Sequence, residues 1–542
     1  MAKKSLLKGA VVLAAAGIIV KFIGAFFRIP LANFIGDVGM AYYTPAYSIY
    51  GFLLVFATTG IPVAISKMVS ERCAVGQFSE AERVFKLSRT LMFVIGLLGF
   101  LILFFFGDML AVMINNPGSA LAMKATAPAL LLVPIMSAYR GYFQGMQDMT
   151  STAVSQVVEQ IFRVACGLSL AVILMDGAYS FLAETEQERG AAGGCFGASA
   201  GAVGGLIVMF IFYLAQRKTM KRRIKNDNSN VRESNGTILK KIAIIAVPIT
   251  IGAAIMPIVN VVDSSIVMTR LLDAGFDRMT SESMFGQLTG FASPIVQFPL
   301  VLIQAIVVSL VPMVSASNKL GDREELHNNI SLGVRMTAII TLPAAVGLFV
   351  LSEPVLLLLY SSQRESAIGA APCLQILSLG FIFLSALTIF TGALQGIGKQ
   401  GIPVRNLFIG VVAKLIITWA LVGIPAFNVK GAAIGTIATY MVAAVLDYFA
   451  LKKHSGVNLS VKLTVIKPMI SSVVMGVIVF VAYRIFFNVL GSNGTATILS
   501  VFLGIAIYGL MVIRTKTIER EEMMTISIGR KLVVICDKLR LW

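Results

Sequence analysis

Apolar residues in this chain are gathered into long runs, with short polar intervals between them. A membrane-spanning helix needs about 20 predominantly apolar residues. Runs of that length recur about fourteen times, at 9–36, 41–69, 87–107, 124–146, 152–175, 190–215, 239–270, 284–316, 329–351, 368–396, 402–424, 431–451, 465–487 and 496–514. They predict an all-α integral membrane protein with about 14 transmembrane helices. The first run does not read as a cleaved leader. It lacks a small-residue cleavage site, carries Lys21 and Arg28, and passes directly into more apolar sequence.

Composition narrows this picture. The chain is 57% hydrophobic and 13% charged, against about 25% charged for a soluble domain. That excludes a soluble multidomain protein and a disordered one. The 45 Lys+Arg against 27 Asp+Glu, formally +18, would suggest nucleic acid in a soluble protein. Here the cations follow the loops instead. With the N-terminus inside, about 31 fall on the inner side and about five on the outer, which predicts cytoplasmic termini in a cell membrane and no nucleic-acid partner. The basic central loop and tail are expected to meet anionic lipids. The two histidines and five scattered cysteines offer no metal site and no disulfide framework. The outer loops are short, the longest running from Asp176 to Arg189, so no catalytic residue or enzymatic domain is expected.

The spans repeat. A shift of 251 positions places Gly141 on Gly392, Gln144 on Gln395, Gly145 on Gly396 and Arg163 on Lys414. Arg189-Gly190-Ala191-Ala192 likewise matches Lys430-Gly431-Ala432-Ala433. These matches predict an N-lobe over 1–215, a basic linker over 216–237, and a C-lobe over 238–451. Two extra helices over 452–514 and a basic tail over 515–542 follow. Each copy has an even number of spans, so the two are parallel repeats. This is an architecture of secondary transporters, which work by alternating access.

A charge at the bilayer centre costs about 2.5–3.5 kcal/mol on insertion scales, so the charges left within spans are candidates for function. Lys21 and Arg28, seven apart, share one face of the first span. Arg140 closes the fourth span; Glu159 and Arg163, four apart on the fifth, can pair within the helix. Lys414 stands at the matching place in the second copy. Together Lys21, Arg28, Arg140, Arg163 and Lys414 suggest a cationic cavity for a phosphate or pyrophosphate. A lipid-linked sugar pyrophosphate fits that description. Asp263 and Glu159 are the candidate ion-coupling acids. No cofactor is expected beyond a coupling ion, Na⁺ or H⁺, or the membrane potential.

Several stretches carry a family resemblance. They are the opening LLKGAVVLAAAGIIVKFIGAFFRIPLANFIG, GIPVAISKMVSE at 60–71, YRGYFQGMQDMTSTAVSQVVEQIFR at 139–163, VPMVSAS at 311–317, LQGIGKQGIPV at 394–404 and KGAAIGT at 430–436. In these the chain resembles the polysaccharide-transporter branch of the MOP flippase superfamily, near the YtgP/SpoVB group and related to the MurJ lipid II flippases. The resemblance implies a MATE-like two-lobe bundle exporting an undecaprenyl-pyrophosphate-linked oligosaccharide, first of all lipid II for peptidoglycan. Sporulation-specific, teichoic-acid or capsular precursors are the nearest alternatives, and a MATE-type multidrug/cation antiporter a more distant one. It also implies a monomer working beside cell-wall synthesis proteins. Lys21 falls where related proteins carry the first of two cavity arginines in helix one, and Arg28 falls within a residue of the second. Spans two and eight offer Tyr43, Phe52, Thr58, Gln287 and Gln297 where relatives have charges. The cavity chemistry is therefore expected on spans five, seven and eleven.

Overall fold

The computed structural model describes residues 2–227, 233–460, 462–515 and 517. Of the described residues 89% are helical, and none lies in a strand. Within lipid a helix satisfies its own backbone polar groups, which is why an apolar chain of this length resolves into helices. Among the described residues thirteen candidates are long and apolar enough to cross a membrane. The first, Ala15–Ala74, is 60 residues long and takes in the second predicted span and the first from residue 15 on. The difference from fourteen comes down to how these two are joined.

They are joined without a loop. Helix α1 (Ala2–Thr58) turns at Gly36, whose φ of 71° and ψ of −174° lie in a region essentially reserved for glycine. Asp37 restarts the helix by accepting the Val38 amide at 2.8 Å. Helices α2 (Gly60–Ala74), α3 (Phe78–Phe105), α4 (Gly107–Met113), α5 (Ala120–Gly145), α6 (Met149–Leu174) and α7 (Glu186–Lys225) follow. Then come α8 (Asn235–Asp273) and α9 (Arg278–Gly286).

Packing divides the chain into two compact units, Met1–Gly290 and Phe291–Trp542. By packing, α8 and α9 therefore belong with the first unit. The linker predicted over 216–237 is helical at both ends, since α7 runs to Lys225 and α8 starts at Asn235. Beyond Thr517 the predicted tail lies outside the described residues.

Glycines set the closest packing of the first unit. Gly193, Gly197 and Gly201 recur every four residues on α7. A Cβ at these positions would stand 2.4–2.6 Å from the carbonyl oxygens of Leu170, Arg163 and Glu159 on α6. Only glycine permits that approach, the small-residue packing of membrane helices. It also fixes the stretch of α6 that carries Glu159 and Arg163.

The second unit contains α10 (Ser293–Leu320), α11 (Arg323–Val350), α12 (Ser352–Leu359), α13 (Arg364–Gly396), α14 (Gly401–Val422) and α15 (Lys430–Ser455). The last pair, α16 (Lys467–Leu490) and α17 (Asn493–Arg514), packs on α11 and α12. Met475 and Val479 bury against Leu351, and the Tyr508 hydroxyl donates to the Ile339 carbonyl at 2.8 Å.

Candidate functional site

The first half of α1 lies along α6. Gly24 faces the Gln160 side chain, and Phe27, 2% exposed, fills the space beside Gly167. The second half of α1 returns with a run of tyrosines. Tyr43 stands 6.4 Å from Phe27, stacks on Tyr47 at 5.7 Å, and Tyr47 is followed by Tyr50 at 5.3 Å. Phe27, Tyr43 and Tyr50 are buried.

Arg163 enters this aromatic nest from α6. Its guanidinium carbon is 4.7 Å from the Tyr47 ring centre and 5.9 Å from that of Phe27. The Tyr43 side chain also hydrogen-bonds Arg163, and the remaining N–H groups of a guanidinium held on ring faces suit two oxygens of a phosphate. Tyr43 lies in the electrostatic field of both Arg163 and Arg28. Arg28 is half-buried, whereas Lys21, on the same face of α1, is exposed. The structure thus sets Arg163 on the faces of Phe27 and Tyr47, while Arg28 follows Phe27 on α1.

Glu159 does not take the partner expected from its spacing. Its carboxylate pairs with Arg140 of α5 at 2.7 Å, and Arg140 Nε donates to Ser155 Oγ at 2.8 Å. No ion pair joins Glu159 to Arg163 among the described residues. Arg140 reaches across from the neighbouring helix, while Arg163 is drawn to the tyrosines. Arg140 is therefore committed to an acid, and Glu159 to a cation. Asp263 sits half-buried on α8. Lys414 belongs to the second unit, 8% exposed on α14, with Gly435 packed against its carbonyl.

Sequence reasoning passed over Asp447. It lies on α15 with no exposed surface and accepts from Asn406 Nδ2 at 2.8 Å and Thr391 Oγ1 at 3.0 Å. No ion pair reaches it among the described residues. An acid inside the run 431–451 was the available signal, by the rule that selected Asp263. The repeat adds a second signal. Thr391 and Asn406 stand 251 positions beyond Arg140 and Ser155. Equivalent partner pairs in the two copies thus each hold a carboxylate, though from different helices: Glu159 of α6 with a cation, Asp447 of α15 with neutral donors.

A bundle of membrane-crossing helices around a cationic, aromatic-walled site is the make-up of a multi-pass cell-membrane transporter. The polysaccharide biosynthesis protein model matches residues 6–318, and the MatE model residues 288–420. The chain is 30% identical to "Lipid II flippase MurJ" of Bacillus subtilis (strain 168) over 88% of each chain. It is 25% identical to "Stage V sporulation protein B" of the same organism, over 98% of this chain and 100% of that one. Among solved structures, "Lipid II flippase MurJ, inward closed conformation" matches with a TM-score of 0.64 and 14% identity, covering 92% of this chain and 98% of that one. A multidrug resistance MATE family transporter in an inward-facing conformation matches with a TM-score of 0.68 and 15% identity, over 82% and 98%. The chain belongs to the polysaccharide biosynthesis protein family, within the MOP flippase superfamily.

Proposed function

We propose that the chain exports an undecaprenyl-pyrophosphate-linked oligosaccharide, lipid II before the alternatives, by alternating access. The observation that carries this reading is the Arg163 guanidinium held on the faces of Tyr47 and Phe27. Such a site favours a dianionic headgroup over an organic cation. A multidrug/cation antiporter needs carboxylates facing its cargo, and Glu159, the acid four residues from Arg163, is taken by Arg140. The name of the 30% identical relative points to lipid II, while that of the sporulation relative keeps a sporulation-specific precursor as the nearest variant.

Under this reading Lys21, Arg28 and Arg163 of the first unit meet the pyrophosphate, and Lys414 is a separate candidate contact within the second unit. Arg140 positions Glu159. Transport draws on Na⁺, H⁺ or the membrane potential, with Asp263, Glu159 and the buried Asp447 as the acids to test for coupling. The test is rescue of a strain whose lipid II flippase can be depleted. Rescue by the full chain supports the lipid II assignment. A chain that is abundant in the membrane yet fails to rescue overturns it.

A further inference from the structure

Helix α5 lies between α3 and α7, and over its C-terminal end the flanking helices leave a furrow of about 150 Å³. Tyr142 and Phe143 of α5 and Tyr213 of α7 line its inner part. Lys86 of α3 and Arg217 and Lys221 of α7 line its rim. Glu82 also lines it, but is engaged by Lys86 at 3.3 Å and by the Tyr142 hydroxyl at 3.5 Å. Among the described residues no ion pair reaches Arg217 or Lys221.

The position along the helices says what meets this furrow. Phe210, Leu214, Arg217 and Lys221 recur at helical spacing and form one stripe along α7. Phe210 and Leu214 are 49% and 46% exposed, so the stripe passes from lipid-facing carbon to cations within two turns. On α3 the exposed Phe93 lies seven residues from Lys86 in the same way. Tyrosines mark the level at which such stripes leave the hydrocarbon. Basic pockets between membrane helices at that level take the head groups of anionic lipids.

We infer that the furrow between α3, α5 and α7 binds the phosphate of an acidic phospholipid, with Arg217 and Lys221 on the phosphate and the acyl chains along Phe210 and Leu214. The site is separate from the Arg163 nest, and its occupant is a resident lipid rather than the exported molecule.

Native mass spectrometry of the full chain in detergent, titrated with phosphatidylglycerol or phosphatidylcholine, tests this. The wild-type chain is expected to hold phosphatidylglycerol more tightly. The double variant Arg217→Gln/Lys221→Gln weakens it about thirty-fold, roughly fivefold per cation, and leaves phosphatidylcholine unchanged. Lys218→Gln/Arg222→Gln, with equal charge loss outside the furrow, stays within about twofold of wild type. Equal loss in both doubles, or no loss in the first, overturns the site. Displacement of the lipid by inorganic phosphate in tenfold excess overturns the lipid assignment in favour of a free anion. If the first double variant unfolds, Lys221→Glu alone gives the same reading, because it inverts one exposed charge.

Discussion

At the scale of single residues, the guanidinium of Arg163 is the group whose surroundings are most specific. Charge-assisted hydrogen bonds to phosphate contribute about 1.5–3 kcal/mol each. Arg163→Ala is expected to cut transport at least tenfold with membrane abundance unchanged, scored by rescue and immunoblot. Arg163→Lys keeps the charge but loses the planar fit against Tyr47, and is expected to fall between the two. The Arg140–Glu159 pair makes the opposite forecast. Glu159→Gln leaves a guanidinium that is only 14% exposed without its counter-ion. That is expected to cost about 3 kcal/mol, read as an earlier thermal unfolding transition in detergent. The double variant Arg140→Met/Glu159→Met recovers most of the loss, since it removes both charges. If the single and double variants unfold alike, the pair does not hold α5 to α6. The charges themselves were legible in the sequence because an ionised group in an apolar run stands out. Their partners were not. Spacing of four offered Arg163 to Glu159, but Arg140 lies on another helix, and its reach depends on how α5 packs against α6.

Among elements, helix existence was legible almost throughout, because each span must supply its own apolar length. Junctions were harder to read. A glycine–aspartate pair inside an apolar stretch does not announce a reversal, and Gly36 shows its role only through its positive φ. The α6–α7 contact is set by the four-residue glycine repeat, so Gly197→Ala places a methyl 2.5 Å from the Arg163 carbonyl. Overpacking of this kind costs about 1–3 kcal/mol, and here it also moves the backbone under Arg163. The expected result is lower thermal stability together with lower transport, whereas Gly252→Ala, which meets open space, changes neither. The segment ahead of α8 makes a second, pH-dependent prediction. Glu233 receives Lys241 at 2.9 Å on both oxygens and Arg72 at 3.1 Å, and its amide faces Glu80. Hydrogen bonding from Lys241, with Arg72 alongside, holds its carboxyl below the usual range for glutamate. A depressed carboxyl contributes its stabilisation above its unfolded pKa and loses it as pH falls through the folded value. The strap from 233 to 241 should therefore stay protected from hydrogen exchange at pH 5 and open only at lower pH. Glu233→Gln should open it at neutral pH; equal protection in both proteins would remove the strap.

For the whole molecule, the arithmetic of charge and the arithmetic of spans bear on each other. The net charge of +18 has meaning only once the number of crossings is known, because one crossing more or fewer sends every later loop to the other side. Thirteen long candidates taken at face value would put the two termini on opposite faces. The turn at Gly36 divides the 60-residue candidate into two crossings and restores an even count. With cytoplasmic termini the loop around Phe181, at the far end of α6 from the basic stretch that closes α7, is expected to face outward, and reporter fusions test this. Green fluorescent protein at the C-terminus should fluoresce, and alkaline phosphatase inserted after Phe181 should be active. The same phosphatase inserted in the basic stretch after Asn226 should be silent. A fluorescent terminus with an inactive phosphatase after Phe181 would break the alternation within the first six crossings. A dark terminus on a stable fusion would make the count odd, return α1 to a single crossing, and leave the cations without their topological explanation.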